Sequence, residues 1–162
     1  MKKLILTLAI TITATLISKA QEGFSVQAGL SSVSISTKVE GQSASNSEIG
    51  FFAGVGYQLS LTDKIDLQPS LLFSLVDELN SLYIPIIAKY NINDQFNVQA
   101  GPQINYLLED IDKGKLGIDL AFGAGYSISE ELYVQARYGL EVSRDIEDTN
   151  INTFHVGVGY NF

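Results

Sequence analysis

The sequence predicts an all-β protein: a closed, eight-stranded antiparallel transmembrane up-and-down barrel, preceded by a cleavable signal peptide. Apolar residues alternate with small or polar ones over long stretches, which is the period of a strand with two unlike faces. The alternating segments are mostly about 9–13 residues long; a strand that crosses a bilayer needs about 9–11, whereas globular strands average about 5–6. Short and long connections also take turns between the segments, as in outer-membrane barrels.

The amino-terminal residues 1–20 have the composition of a secretory signal peptide. A cationic Met-Lys-Lys start precedes an apolar run over residues 4–17, and Ser-Lys-Ala at 18–20 supplies the small residues that a signal peptidase requires. The run is too short to be a membrane-spanning helix. We therefore expect cleavage before Gln21, which leaves residues 21–162 as the barrel domain.

Composition excludes several classes of function. The chain has no cysteine, which rules out disulfides and thiol chemistry. Loss of residues 1–20 would remove three of the ten basic residues, so that seven would face eighteen acidic ones, a formal charge of −11. Nucleic-acid binding needs clustered Lys and Arg, so nucleic acid is not an expected partner.

Eight segments carry the alternating pattern. In chain order they cover residues 24–30, 49–61, 65–75, 82–90, 96–108, 116–128, 132–142 and 154–162. The phase of the first segment slips after Leu30 to Val33 and Ile35, which predicts a bulge or an early exit into the following loop. The short turns are residues 62–64, 91–95 and 129–131, and the longer loops are 36–48, 77–81, 109–115 and 143–152.

The apolar face is expected to point outward, to lipid. The interior of an eight-stranded barrel is only just wide enough for side chains, and it could not hold so many large apolar ones. The other face is rich in glycine and carries few charges, chiefly Asp66, Lys89, Asp119, Arg137 and Glu141. A sheet face in water would be about a quarter or more charged. This composition suits a cramped polar lumen, filled by side chains and unable to conduct.

Aromatic residues gather at the strand ends that precede or follow the short turns. If the mature amino terminus lies in the periplasm, seven aromatics fall near the periplasmic rim: Phe24, Tyr57, Tyr90, Phe96, Tyr126, Tyr160 and Phe162. Such a girdle is typical of a membrane interface. Both termini are then expected on the periplasmic side.

Several phrases give the chain a family resemblance. They are LQPSLLFS (67–74), YIPIIAKYNI (83–92), VQAGPQINYLL (98–108), ELYVQARYGL (131–140) and the closing TFHVGVGYNF (153–162). In this order the chain resembles the small outer-membrane β-barrel proteins of Bacteroidetes, the PorT-like or outer membrane protein beta-barrel family. The resemblance covers essentially the whole mature chain and implies an eight-stranded barrel in the outer membrane, without implying one activity.

A polar network is predicted at the outer mouth of the lumen. If residues 128 and 132 pair, Asp119 lies directly across from Glu141, and similar counts place Asn105 beside Asp119 and His155 near Glu141, with Arg137 one step deeper. Two neighbouring carboxylates need a nearby cation. We expect a structural network with Arg137 or protonated His155 as counter-charge; a divalent-cation site is the alternative hypothesis.

The sequence contains no diagnostic catalytic constellation, and we expect neither an enzyme nor a bound cofactor or metal. A Ser–His acyl-transfer pair of Ser143 with the single histidine, His155, is the weakest hypothesis, because the histidine should face the lumen and not the lipid. The stretch Asp110-x-Asp112-x-Gly114 lacks the glycine spacing and distal Glu of an EF-hand, so a solvated loop is favoured over a calcium loop.

These observations favour a structural or interaction role in the cell envelope, as part of membrane integrity or of a surface or secretion complex. A narrow solute pore is the alternative, followed by an outer-membrane lipid-modifying enzyme. The expected partners are outer-membrane lipid, the insertion machinery during biogenesis and a further envelope protein. Tyr160 and Phe162 resemble the carboxyl-terminal aromatic signal that the insertion machinery recognises.

Overall fold

A computed structural model describes residues 23–39, 42–77, 79–109, 114–144 and 149–162, and these residues form nine β-strands. The strands are β1 (Phe24–Val39), β2 (Gln42–Tyr57), β3 (Leu59–Thr62), β4 (Ile65–Leu75), β5 (Ser81–Asn91), β6 (Phe96–Leu107), β7 (Leu116–Ser127), β8 (Leu132–Arg144) and β9 (Thr149–Asn161). No described residue belongs to a helix long and apolar enough to cross a membrane. The predicted signal peptide lies outside the described residues and stays a prediction.

The sheet is antiparallel throughout and closes on itself. Apart from β2 and β3, which both pair with β4, each strand pairs with its neighbour in the chain, and β1 also pairs with β9, from Ser25↔Asn161 to Thr37↔Thr149. β2 and β3 are two halves of one strand interrupted at Gln58, because both pair with β4 in the same register (Gly56↔Ser70 and Leu59↔Leu67). The predicted closed eight-stranded barrel is therefore confirmed.

The two faces of the wall follow the alternation in the sequence. In β4, residues at even positions from Asp66 to Ser74 are buried in the lumen, while Leu71, Phe73 and Leu75 are exposed on the outside. Large, polar and charged side chains fill the lumen, and seven of them are buried there: Tyr83, Lys89, Gln99, Gln103, Tyr133, Arg137 and Glu141. The outward apolar face and the filled lumen are both as predicted.

The orientation follows from the connections. Three short turns lie at the end of the barrel that also holds both ends of the described sheet. Short turns lie on the periplasmic side of outer-membrane barrels, so we assign this end to the periplasm, as the sequence predicts. The predicted aromatic girdle lies there: Phe24 and Tyr57 make an edge-to-face contact at 5.0 Å, and Tyr160 and Phe162 make another at 5.1 Å. The tyrosines among them, with an apolar ring and a polar hydroxyl, suit the membrane interface.

The outer end differs from the sequence prediction in three places. The loop predicted over 36–48 is a β-hairpin, because β1 and β2 continue in one unbroken register to Val39↔Gln42. The bulge predicted in β1 is wrong for the same reason: Val33 and Ile35 keep the strand's phase and turn apolar side chains inward. The loop predicted over 143–152 is shorter, since β8 extends to Arg144 and β9 begins at Thr149.

Candidate functional site: the lumen and its two mouths

Glycines create the space that the lumen side chains occupy. A Cβ added at Gly159 would lie 2.1 Å from the Tyr133 ring, and one added at Gly56 would lie 2.7 Å from the Ser70 hydroxyl. Both distances are shorter than a non-bonded contact allows. The glycine-rich stretches of β2 and β9 therefore let side chains from neighbouring strands reach across the barrel.

A hydrogen-bond network crosses the middle of the lumen. Gln27 on β1 donates to Ser70 Oγ on β4 at 3.1 Å, and its carbonyl oxygen accepts from Gln135 at 2.7 Å and from Arg137 at 3.1 Å. Arg137 is 2% exposed and its Nη1 has no hydrogen-bond partner. No carboxylate within the described ranges lies within ion-pair distance of it. Arg137 therefore ties β1 to β8 and is not the counter-charge of the carboxylates above it.

Asp119 is held by amide donors near the outer mouth. Both of its carboxylate oxygens accept from Asn105 Nδ2, at 2.7 and 2.9 Å, and Oδ2 also accepts from Gln103 at 2.8 Å. The predicted contact with Asn105 is found, although Asn105 pairs in the ladder with Gly117 and the contact is diagonal. Asn105 and Gln103 of β6 thus donate hydrogen bonds to both oxygens of this carboxylate.

Glu141 lies across from Asp119 in the β7–β8 ladder, as predicted, but its counter-charge is Arg144. Both side chains of this ion pair are 1% exposed. Arg144 also donates to the side-chain oxygen Oδ1 of Asn105 and to the backbone oxygen of Gly114. It thereby joins the two carboxylates in one network.

Arg144 enters the lumen because of a β-bulge. Asp119 pairs with Glu141 but Ile118 pairs with Ser143, so Val142 is an extra residue on β8. Val142 and Ser143 both point outward, and the phase change turns Arg144 inward. Without the bulge, the alternation of β8 would point the Arg144 guanidinium outward, toward lipid. The sequence period does not include the bulge, and it therefore placed Arg144 in a loop.

His155 lies deeper than predicted. It pairs with Arg137, not with Glu141, and its ring makes edge-to-face contacts with Phe52 at 5.1 Å and Tyr83 at 5.0 Å. Its Nε2 has no hydrogen-bond partner. The prediction of proximity to Glu141 is wrong because the β8–β9 ladder ends at Gly139↔Thr153, which shifts the register by four residues from the predicted one.

The outer mouth is closed by an apolar cluster. Val33, Val76, Leu107 and Ile151 are buried against one another, from four different strands or their ends, with Ile35 and Leu79 packed on them. Apolar side chains at the mouth of a polar lumen exclude water from the network below. Sequence reasoning missed this cluster, although the phase slip at Val33 and Ile35 was its signal.

The periplasmic mouth is open. A cavity of about 400 Å³ lies between the short turns, and its lining is almost entirely polar or charged. Lys89 forms its floor: it is 4% exposed, donates to Gln58 Oε1 at 3.2 Å and lies 4.7 Å from the centre of the Tyr133 ring. The lumen is thus a pocket closed at the outside and open to the periplasm.

At the outer end, the edge of β2 is unpaired within the described residues. The β2–β4 ladder begins only at Phe51↔Leu75, so residues 42–50 of β2 pair with β1 alone. β1 continues to pair with β9 up to Thr37. These segments form a three-stranded ribbon that projects beyond the rest of the barrel, and the edge of β2 is free.

The other predicted sites do not assemble. Ser143 points outward and His155 inward, so no Ser–His pair forms. The calcium-loop candidates Asp110 and Asp112 lie outside the described residues. No group of three or more acidic or histidine side chains within the described ranges is arranged to hold a metal ion. The assembly signal predicted at Tyr160 and Phe162 is not tested by geometry and stays a prediction.

Solved structures share this fold. The attachment invasion locus protein Ail of Yersinia pestis aligns with a TM-score of 0.56 at 16% identity, over 88% of this chain and 100% of that one. Neisserial surface protein A aligns at 0.53 and 14%, over 86% and 97%. A de novo designed transmembrane β-barrel aligns at 0.53 and 12%, over 88% and 98%. At such identities the likeness shows the fold alone.

No curated protein matches the chain in sequence. The model of the outer membrane protein beta-barrel domain, however, matches residues 4–162, which is nearly the whole chain. The closed barrel, its outward apolar face and this match together place the protein in the outer membrane. The chain belongs to the outer membrane protein beta-barrel domain family.

Proposed function

We propose that this protein is a non-conducting outer-membrane anchor that binds an envelope partner through the free edge of its projecting ribbon. The observation that carries the proposal is the pairing of residues 42–50 with β1 alone, since the β2–β4 ladder starts at Phe51↔Leu75. An unpaired strand edge offers a row of backbone donors and acceptors to a further strand.

The surface of the ribbon supports strand addition. Ser45, Ser47 and Glu48 are exposed, and serine hydroxyls pair across β1 and β2 (Ser34 with Ser47, 2.7 Å). Small polar side chains leave the backbone of the edge accessible to another strand. The apolar cluster at the outer mouth and the filled lumen argue for the anchor and against the alternative, a narrow solute pore.

Single-cysteine crosslinking tests the proposal, because the chain has no cysteine of its own. A Ser47→Cys variant places a thiol on the edge strand, and Ser34→Cys places one on its hydrogen-bonded neighbour in β1, on the same face. In native membranes we expect a discrete crosslinked adduct from the edge position and much less from the central one. Equal adducts from both positions, or none from the edge, would contradict strand addition.

A variant with a shortened β1–β2 hairpin provides a second test of strand addition. Replacing residues 35–46 by Asn-Gly keeps the Ser34↔Ser47 pair and closes the hairpin with a two-residue turn. The trimmed barrel should still reach the outer membrane but lose the adduct. Retention of the adduct would exclude the edge as the binding element.

The remaining partners and the finer family assignment are proposals as well. Outer-membrane lipid would cover the exposed apolar band, and the insertion machinery would recognise Tyr160 and Phe162. Membership in the PorT-like branch of Bacteroidetes rests on the five sequence phrases from LQPSLLFS to TFHVGVGYNF. We propose no enzymatic activity, since the candidate pair Ser143 and His155 lie on opposite faces of the wall.

A further inference from the structure

The periplasmic cavity has the properties of a ligand site. Its volume of about 400 Å³ lies within the range of about 300–1,000 Å³ typical of small-molecule pockets. Among the described residues, the apolar cluster closes the opposite mouth, so a ligand enters from the periplasmic end. The residues at the floor, the wall and the rim of the cavity differ in charge. These charges determine which class of ligand the cavity can bind.

The floor presents a buried cation, Lys89, which no carboxylate of the described residues contacts at ion-pair distance. The Lys89 ammonium has three N–H donors, and the described residues accept one hydrogen bond from it, through Gln58 Oε1. Asp66 pairs with Lys89 in the ladder, but its two oxygens accept from Ser60 at 2.6 Å and Asn91 at 2.7 Å. A buried charge is stabilised by an opposite charge. The floor therefore favours an anionic group.

The wall and the rim favour a polar ligand with a cationic end. The buried side-chain oxygen of Asn161 lines the cavity and has no hydrogen-bond partner. At the rim, three exposed carboxylates, Asp63, Asp94 and Glu130, outnumber one ammonium, Lys64. A purely anionic molecule would be repelled at the rim, and a purely cationic one would meet Lys89 at the floor.

We propose that this cavity binds a small zwitterion of the amino-acid or short-peptide type. The carboxylate of the ligand accepts hydrogen bonds from Lys89, its amide groups bond to the wall, and its ammonium lies among the rim carboxylates. This site is independent of the ribbon edge, at the opposite end of the barrel, so each can fail without the other.

The first test varies the ligand and leaves the protein unchanged. Triglycine, triglycinamide and N-acetyltriglycine are titrated separately into the refolded barrel in nanodiscs. The side-chain amide signal of Asn161 is followed by NMR in each titration. We expect triglycine to saturate the signal at millimolar concentration. Loss of either charged end should weaken binding about tenfold or more, as hydrogen bonds to charged groups are worth about 1.5–3 kcal/mol. No saturation by triglycine, or equal binding of triglycinamide, would overturn the proposal.

The second test varies the protein. A Lys89→Met variant should bind triglycine about tenfold more weakly, while Lys115→Met removes the same charge at the outer end and should bind like wild type. If the Lys89→Met barrel refolds and keeps full affinity, the assignment of the floor is wrong. If the Lys89→Met barrel does not refold, the affinities of triglycine and triglycinamide for the wild-type protein decide whether the floor binds a carboxylate.

Discussion

The Glu141 carboxylate accepts a hydrogen bond of 2.6 Å from the backbone amide of Ile151, where the ladder between β8 and β9 has ended. That ladder stops at Gly139↔Thr153, and Glu141 N in turn donates to Asn152 Oδ1 at 3.1 Å. Side-chain bonds thus replace backbone pairing at the outer seam of the barrel. The carboxylate that sequence reasoning offered as a cation ligand serves to close the wall.

A Glu141→Gln substitution should therefore loosen the outer seam. It removes a charged acceptor from both Ile151 N and Arg144, and we expect a loss of about 1–3 kcal/mol in unfolding free energy. Urea unfolding of the refolded protein, with amide exchange at Ile151, measures it. The exposed Glu131→Gln substitution is the control, expected to change stability by no more than about 0.5 kcal/mol. Equal stability of the two variants would refute the role of Glu141.

Removing Arg144, the cation of the same network, should lower the unfolding free energy by more than Glu141→Gln does. Arg144→Met leaves Glu141 buried and unpaired, and breaking one side of a buried ion pair costs about 3–5 kcal/mol. The double variant Glu141→Gln/Arg144→Met removes the stranded charge as well and should be more stable than Arg144→Met alone. Denaturant unfolding of the three variants gives the comparison; a double variant that is less stable than Arg144→Met would show that the pair is not coupled.

The lumen glycines should not tolerate a methyl group. Gly159→Ala would place its Cβ 2.1 Å from the Tyr133 ring, and overpacking of this kind costs about 1–3 kcal/mol. A double-mutant cycle with Tyr133→Ala isolates the clash. In the Tyr133→Ala background, Gly159→Ala should be close to neutral. The same penalty in both backgrounds would mean that the ring does not cause it.

The apolar cluster at the outer mouth should contribute to stability as a core does. Ile151 is 4% exposed, and Ile151→Ala should cost about 2–5 kcal/mol of unfolding free energy. Ile49, which is 72% exposed at the outer end of β2, provides the matched control. A smaller loss for Ile151→Ala than for Ile49→Ala would contradict a packed closure of the mouth.

Alternation in the sequence was sufficient to predict the barrel and the side chains that face outward or into the lumen. Lipid and lumen impose opposite requirements on successive residues of each strand. This alternation is lost where the strands extend beyond the membrane at the outer end. Residues 45–48 are exposed on both faces of β2, so their composition is that of a loop although they form a strand. Sequence reasoning took them as a loop for this reason.

Register was predictable only where a tight turn fixed it. The short turn before Leu132 gave the pairing of Asp119 with Glu141 correctly. Across the longer loops, shifts of two or four residues keep every side chain on its own face and change little in backbone pairing. His155 was misplaced in this way, and the bulge at Val142, which brings Arg144 into the lumen, leaves no mark on the apolar period.

Conductance tests the central claim, that the barrel is a closed anchor and not a pore, most directly. Purified protein refolded into planar bilayers should show no single-channel steps, because buried side chains fill the lumen and an apolar cluster closes its outer mouth. A membrane-inserted, folded sample verified by its resistance to protease is the required control. Stable, reproducible single-channel steps from that sample would contradict the account.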